Sequence, residues 1–120
     1  LGEHGRNGLL LTPEYGARQR LCKVFTDLPL IPDKPIDFGA LNYCKQCHAC
    51  ASSCPAKAIM MENELTEEST SISNRTGLNR WVVNVEKCYI FWQENEGLSC
   101  SNCIASCPWS LDNNRDWLEL

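Results

Sequence analysis

Residues 44 to 55, CKQCHACASSCP, hold four thiols, an imidazole and a closing proline. Cys44, Cys47, Cys50 and Cys54 follow the spacing C-x2-C-x2-C-x3-C-P. Thiolates at such short intervals suit soft metals, and this spacing is that of iron–sulfur ligation. Two other uses of cysteine fit less well. Cysteines three apart seldom bridge one another, and a total of nine is odd for a disulfide framework. Structural zinc takes two C-x2-C pairs set apart by a longer loop, with no use for a third thiol three residues on and then Cys-Pro.

A second run repeats the first. Cys100, Cys103, Cys107 and Pro108 align with Cys47, Cys50, Cys54 and Pro55, and Gly97 stands opposite Cys44. The thiol placed to replace the missing ligand is Cys88, upstream across YIFWQENEGLS. Eight cysteines then serve two [4Fe-4S] clusters. In two-cluster bacterial ferredoxins the fourth cysteine of each run ligates the other cluster. The same exchange gives the first cluster Cys44, Cys47, Cys50 and Cys107, and the second Cys88, Cys100, Cys103 and Cys54. His48 reads as a neighbour of the cluster or a surface residue, since four thiols are already supplied. Cys22, alone in RQRLCKVF, reads as a small buried hydrophobe.

Other elements must position these thiols. Pro55 and Pro108 preset φ and lack an N–H, so AKAIM and WSLD are expected to open short helices. Ala49, Ala51, Ser52 and Ser53 leave room for backbone amides to approach sulfur. Gly5 and Gly8 bracket Arg6 and Asn7 in a tight turn. LLLT, ended by Pro13, reads as a buried strand, and VFTDLPL as another. Pro29, Pro32 and Pro35 make an extended connector into the cysteine-bearing part. Residues 62 to 80 are polar and read as a loop. WVVNVEKC alternates as a strand delivering Cys88, and Trp81, Trp92 and Trp109 are expected to shield the clusters from water.

Composition limits the partners. A chain of 120 residues with 43% apolar content supports one domain with a modest core. A formal net charge of −4 argues against nucleic acid, whose phosphates need gathered basic residues. No apolar run approaches the ~20 residues of a membrane-spanning helix. Because the chain opens on Leu1 rather than Met, a longer parent protein is expected.

The segments GEHGRNGLLLTPEYG, KVFTDLPLIPDKPIDFG, YCKQCHACASSCPAKAI, KCYIFWQENEG and CSNCIASCPWS together resemble the corrinoid-dependent reductive dehalogenases. The resemblance runs from Gly2 to about Ser110. It implies an α+β fold, with a bacterial ferredoxin-like two-cluster domain over 39–120. Ahead of it, residues 1–38 would be the end of a corrinoid-binding α/β domain and its connector. It further implies electron delivery to a cobamide that removes halide from an organohalide substrate. The backbone of Gly5, Arg6, Asn7, Gly8, Leu9, Leu10, Leu11 and Thr12 is the implied corrinoid contact, with the Arg6 side chain a candidate for a halide or a corrinoid amide. The proton donor is expected in the upstream part of the same chain. A membrane-anchor subunit or other electron donor, and a place on the outer face of the cytoplasmic membrane, follow from the same resemblance. Two alternatives stand beside it: a plain ferredoxin-type electron-transfer module, and a relative of epoxyqueuosine reductase. The module would need only residues 44–108, leaving GRNGLLLTPEYG without a purpose.

Overall fold

The computed structural model describes residues 1–111. Its first element is a short antiparallel hairpin of β1 (Glu3–His4) and β2 (Leu10–Leu11), pairing Glu3 with Leu11 and His4 with Leu10. The turn closes with Gly8 N donating to Gly5 O at 3.0 Å and Gly5 N to Leu9 O at 2.8 Å. Gly8 sits at φ 75°, where a side chain would be strained and its Cβ would press on Val83. The expected LLLT strand is thus present. VFTDLPL forms no strand: the stretch is exposed, Val24 and Phe25 being 82% and 93% accessible, and it has no ladder partner among the described residues.

Helix α1 (Ala40–Gln46) carries Cys44, and α2 (Ala49–Ser52) carries Cys50. Helix α3 (Val85–Glu94) carries Cys88, α4 (Asn102–Ala105) carries Cys103, and α5 (Pro108–Leu111) follows Cys107. Pro108 therefore opens a helix as expected; Asp112, the end of WSLD, lies outside the described residues. AKAIM does not form its helix. Lys57 adopts φ 46°, which interrupts α-helical geometry, and β-branched Ile59 bridges Val83.

The expected strand into Cys88 stops at that bridge. Asn84 accepts a hydrogen bond from Lys87 N at 2.9 Å, so the chain turns into a helix where alternation promised continued strand. Glu86 in the first turn complements the helix dipole. At the other end Gly97, at φ 74°, donates its N–H to Trp92 O at 2.9 Å, which closes α3. Gly97 thus terminates the helix at the position where the repeat lacks a thiol. Residues 62–80 are largely irregular, with one bridge between Thr66 and Arg80.

The core joins the hairpin to the cysteine-bearing helices. Leu11, Ala17, Ala40, Cys44, Trp81 and Cys107 are buried together, with Phe38, Ile104 and Trp109 packed on them. Cys50, Ala51 and Ile59 form a second cluster beside Cys54, Val83 and Cys103.

Candidate metal centres

The eight cysteines of the two runs fall into two quartets. Cys44, Cys47, Cys50 and Cys107 line one cavity. Cys54, Cys88, Cys100 and Cys103 line another. Each cavity thus takes one thiol from the other run, Cys107 in the first and Cys54 in the second. Among the described residues no three His, Cys, Asp or Glu side chains converge closely enough for a single metal ion. Four thiols on each of two cavities are the ligand count of two four-iron cubanes.

Burial sets the chemistry of these thiols. The Cys50 thiol is pushed up to about 12, first by burial and then by Cys44, Cys107, Cys103 and Cys47. Burial likewise raises Cys44, where Arg6 opposes the shift. It raises Cys88 and Cys103 as well, each further disfavoured as thiolate by Cys54 and Cys100. Without metal such groups stay protonated; iron coordination deprotonates them outright.

The two runs meet at equivalent serines. Helices α2 and α4 each end on a serine whose N–H donates back into the helix, Ser53 to Ala49 O at 3.0 Å and Ser106 to Asn102 O at 2.9 Å. The hydroxyls of Ser53 and Ser106 lie 2.7 Å apart. Each serine directly precedes an exchanged ligand, Cys54 or Cys107. The pair therefore holds the crossing point between the quartets.

The glycine turn was expected at a corrinoid through its backbone; the side chain of Arg6 is engaged within the fold. Arg6 is 1% exposed, and its nitrogens donate only to backbone carbonyls. Nε reaches Cys44 and Cys47 at 3.1 Å each, and Nη2 reaches Cys44 at 2.9 Å and Lys45 at 3.2 Å. Nη1 reaches Met60 at 2.9 Å and Glu62 at 2.7 Å, while the guanidinium lies 4.7 Å over the Trp81 ring. An arginine held this way has no donor to spare for a halide or a corrinoid amide, so that role is withdrawn from its side chain. Burial pulls the guanidinium below its usual range, and the Cys50, Cys44 and Cys47 thiols and Glu62 pull it back.

Asn7 is buried and lines both cavities; its Nδ2 donates to Cys103 O at 3.4 Å and its Oδ1 accepts from Leu9 N at 3.1 Å. Leu11 and Thr12 are buried, whereas Gly8 is exposed and Leu9 and Leu10 are partly so. The part played by Arg6 and Asn7 around the quartets escaped the sequence reading. The available signal was an arginine fixed between two glycines rather than on a solvated face.

Of the tryptophans, Trp109 lines the first cavity and Trp92 the second. Trp81 lines neither; it is 2% exposed and serves as the platform for Arg6. His48 bonds Asn63 at 2.8 Å, away from the thiols. Cys22 is exposed, which corrects its expected burial: its neighbours from Leu21 to Phe25 are exposed as well.

This paired-quartet arrangement is that of a double-cluster iron–sulfur domain. The chain belongs to the 4Fe-4S double cluster binding domain family, which matches residues 43–110. The likeness to known proteins extends beyond that stretch. A tetrachloroethene reductive dehalogenase of Desulfitobacterium hafniense is 47% identical over 113 residues, covering 92% of this chain and 20% of that protein. An epoxyqueuosine reductase of Aliivibrio fischeri is 34% identical over 112 residues, covering 93% of this chain and 28% of that protein. A solved reductive dehalogenase, described in terms of B12-dependent dehalogenation, superposes with a TM-score of 0.78 at 33% identity, over 97% of this chain and 16% of that one. The chain thus has the sequence and fold of a reductive dehalogenase segment, and spans about a fifth of the length of the dehalogenase relative.

Proposed function

We propose that this chain is the electron-delivering part of a reductive dehalogenase. Its two [4Fe-4S] clusters pass single electrons to a cobamide, and an organohalide takes up two electrons and a proton, replacing halide by hydrogen. The observation that carries this reading is the pair of cysteine quartets with the GRNGLLLT hairpin packed against both.

Each group has its place in the reading. Cys44, Cys47, Cys50 and Cys107 hold the first cluster, and Cys88, Cys100, Cys103 and Cys54 the second. The buried N–H of Trp109, without an acceptor among the described residues, and the four thiols that share its cavity fit a sulfur-rich body there. The cobamide, where bound, supplies a low-potential metal able to break a carbon–halogen bond. For corrinoid contact the accessible Gly8, Leu9 and Leu10 remain the candidates from the turn, through backbone and apolar surface. Residues 39–120 form the cluster domain, and 1–38 lead into it from the corrinoid-binding part of the chain. The family resemblance also supports a membrane-anchor subunit or other electron donor as partner, on the outer face of the cytoplasmic membrane.

The test is halide release by the full-length protein, given a low-potential donor, with and without corrinoid. Release that depends on corrinoid is expected. Activity persisting without it removes the mechanism, and turnover of epoxyqueuosine-containing tRNA with no halide release moves the function to that relative, whose identity to this chain gives the alternative its standing.

A further inference from the structure

Arg6 is a buried cation with no carboxylate in ion-pair contact among the described residues. Among the described residues the ion pair present is Lys45 with Glu64, at 2.8 Å, and it does not involve Arg6. Every hydrogen bond from Arg6 ends on a neutral carbonyl, and its guanidinium forms part of the wall of the first quartet's cavity. A charge taken out of water without a counter-charge in direct contact is costly. Four thiolates around an iron–sulfur cluster supply that counter-charge, because the assembly is net negative and becomes more so on reduction.

A second group points the same way. The indole Nε1 of Trp109 is buried and has no acceptor among the described residues, and Trp109 lines the same cavity. Cluster sulfur is the acceptor such a donor lacks. The second quartet is surrounded differently. Its neighbouring arginine, Arg20, is exposed, so water and salt screen it. Its sulfur contact is a neutral one, from Ala58 N to Cys54 Sγ at 3.4 Å.

We propose that Arg6 and Trp109 make the first cluster the more easily reduced of the two, so that an electron entering the domain comes to rest there. The inference rests on the two-cluster reading above and adds a direction to it. A buried positive charge and a hydrogen bond to sulfur both favour the form carrying more negative charge. The step is one electron with no bond made or broken: the second cluster returns to its oxidised state as the first is reduced.

The experiment is a reductive titration with titanium(III) citrate, followed by electron paramagnetic resonance, on the cluster-loaded full-length protein. The signals are assigned through Cys47→Ser and Cys100→Ser, each of which alters the spectrum of its own cluster. In the unmodified protein the first signal to appear should belong to the first cluster. Arg6→Gln should lower that cluster's potential by ~59 mV, a tenfold loss in its share of a single electron, and leave the second unmoved. Arg6→Lys, which keeps the charge, should stay close to the unmodified value. Trp109→Phe keeps an aromatic ring and removes only the indole donor; it should lower the first potential alone, and it decides the matter if Arg6→Gln fails to load clusters. Reduction of the second cluster first overturns the proposal, as do unmoved potentials in both Arg6→Gln and Trp109→Phe. Because potentials are read and not halide release, this outcome and the fate of the dehalogenase reading are independent.

Discussion

Glu3 and Arg6, three residues apart on one hairpin, cap opposite ends of the same helix. The Glu3 carboxylate accepts from Phe38 N at 3.1 Å, Ala40 N at 2.9 Å and Leu41 N at 3.3 Å, at the start of α1. Arg6 takes the carbonyls of Cys44, Lys45 and Cys47 at its end. The seven residues of α1 rise ~10 Å, and the two side chains reach its two ends from the strand and from the turn that follows it. Each charge also opposes the helix dipole at its own end. Gly39, the residue before α1, offers no side-chain cap, so the hairpin supplies one from far along the chain.

Removing either cap should therefore loosen Cys44. Glu3→Ala leaves three amide donors without acceptors at a buried helix start and should cost ~1–2 kcal/mol. Arg6→Ala strands carbonyls at both the α1 end and Met60–Glu62, and should cost ~3 kcal/mol or more. Thermal unfolding of the cluster-loaded protein measures both. If Arg6→Ala unfolds at the temperature of the unmodified protein, the cap has been misread.

The serine pair at the crossing point makes a separate prediction. Ser53→Ala and Ser106→Ala each remove one hydroxyl from a partly buried hydrogen bond, so each should cost ~1 kcal/mol. The double variant should cost less than the sum, by ~0.5 kcal/mol or more, because the pair shares one bond. Strict additivity in denaturant unfolding would show that the hydroxyls act independently.

Gly16 offers a steric test next to the first quartet. It holds φ 58°, and an added Cβ would meet the Trp109 carbonyl carbon and oxygen at 2.5 Å and Ser110 N at 2.6 Å. Backbone cannot yield as a flexible side chain does. Gly16→Ala should displace the start of α5, destabilise the fold by ~2 kcal/mol or more, and change the fluorescence of Trp109. An unchanged spectrum with full stability would contradict this packing.

What the sequence made legible was the covalent spacing of ligands. The repeat of the two runs, with Cys88 offered in place of the residue at Gly97, could be read from spacing alone, whereas the exchange of Cys54 with Cys107 came from the ferredoxin pattern and not from local spacing. The LLLT strand was legible for a similar reason, since Gly5 and Gly8 fix its turn. The misread elements depended on distant partners. AKAIM looks helical until Ile59 finds Val83, and WVVNVEKC looks extended until Asn84 caps Lys87. Arg6 was the furthest from reach: its carbonyl partners lie 38 to 56 residues away, and no local pattern encodes them.

The exchange of ligands gives the sharpest test, because it separates position in the chain from position in space. Cys54 belongs to the first run but lines the second cavity, and Cys107 belongs to the second run but lines the first. The unmodified protein should bind about eight irons, four for each cluster. Cys22→Ala should leave that number unchanged, since the thiol is exposed and outside both quartets. Cys88→Ser should damage only the cluster that Cys100→Ser damages. Cys54→Ser should produce the same spectral defect as Cys88→Ser, while Cys107→Ser should match Cys44→Ser. Iron analysis with electron paramagnetic resonance on the reduced variants distinguishes the cases. Should Cys54→Ser instead match Cys44→Ser, each run would serve its own cluster, and the crossing held by Ser53 and Ser106 would have no function to explain.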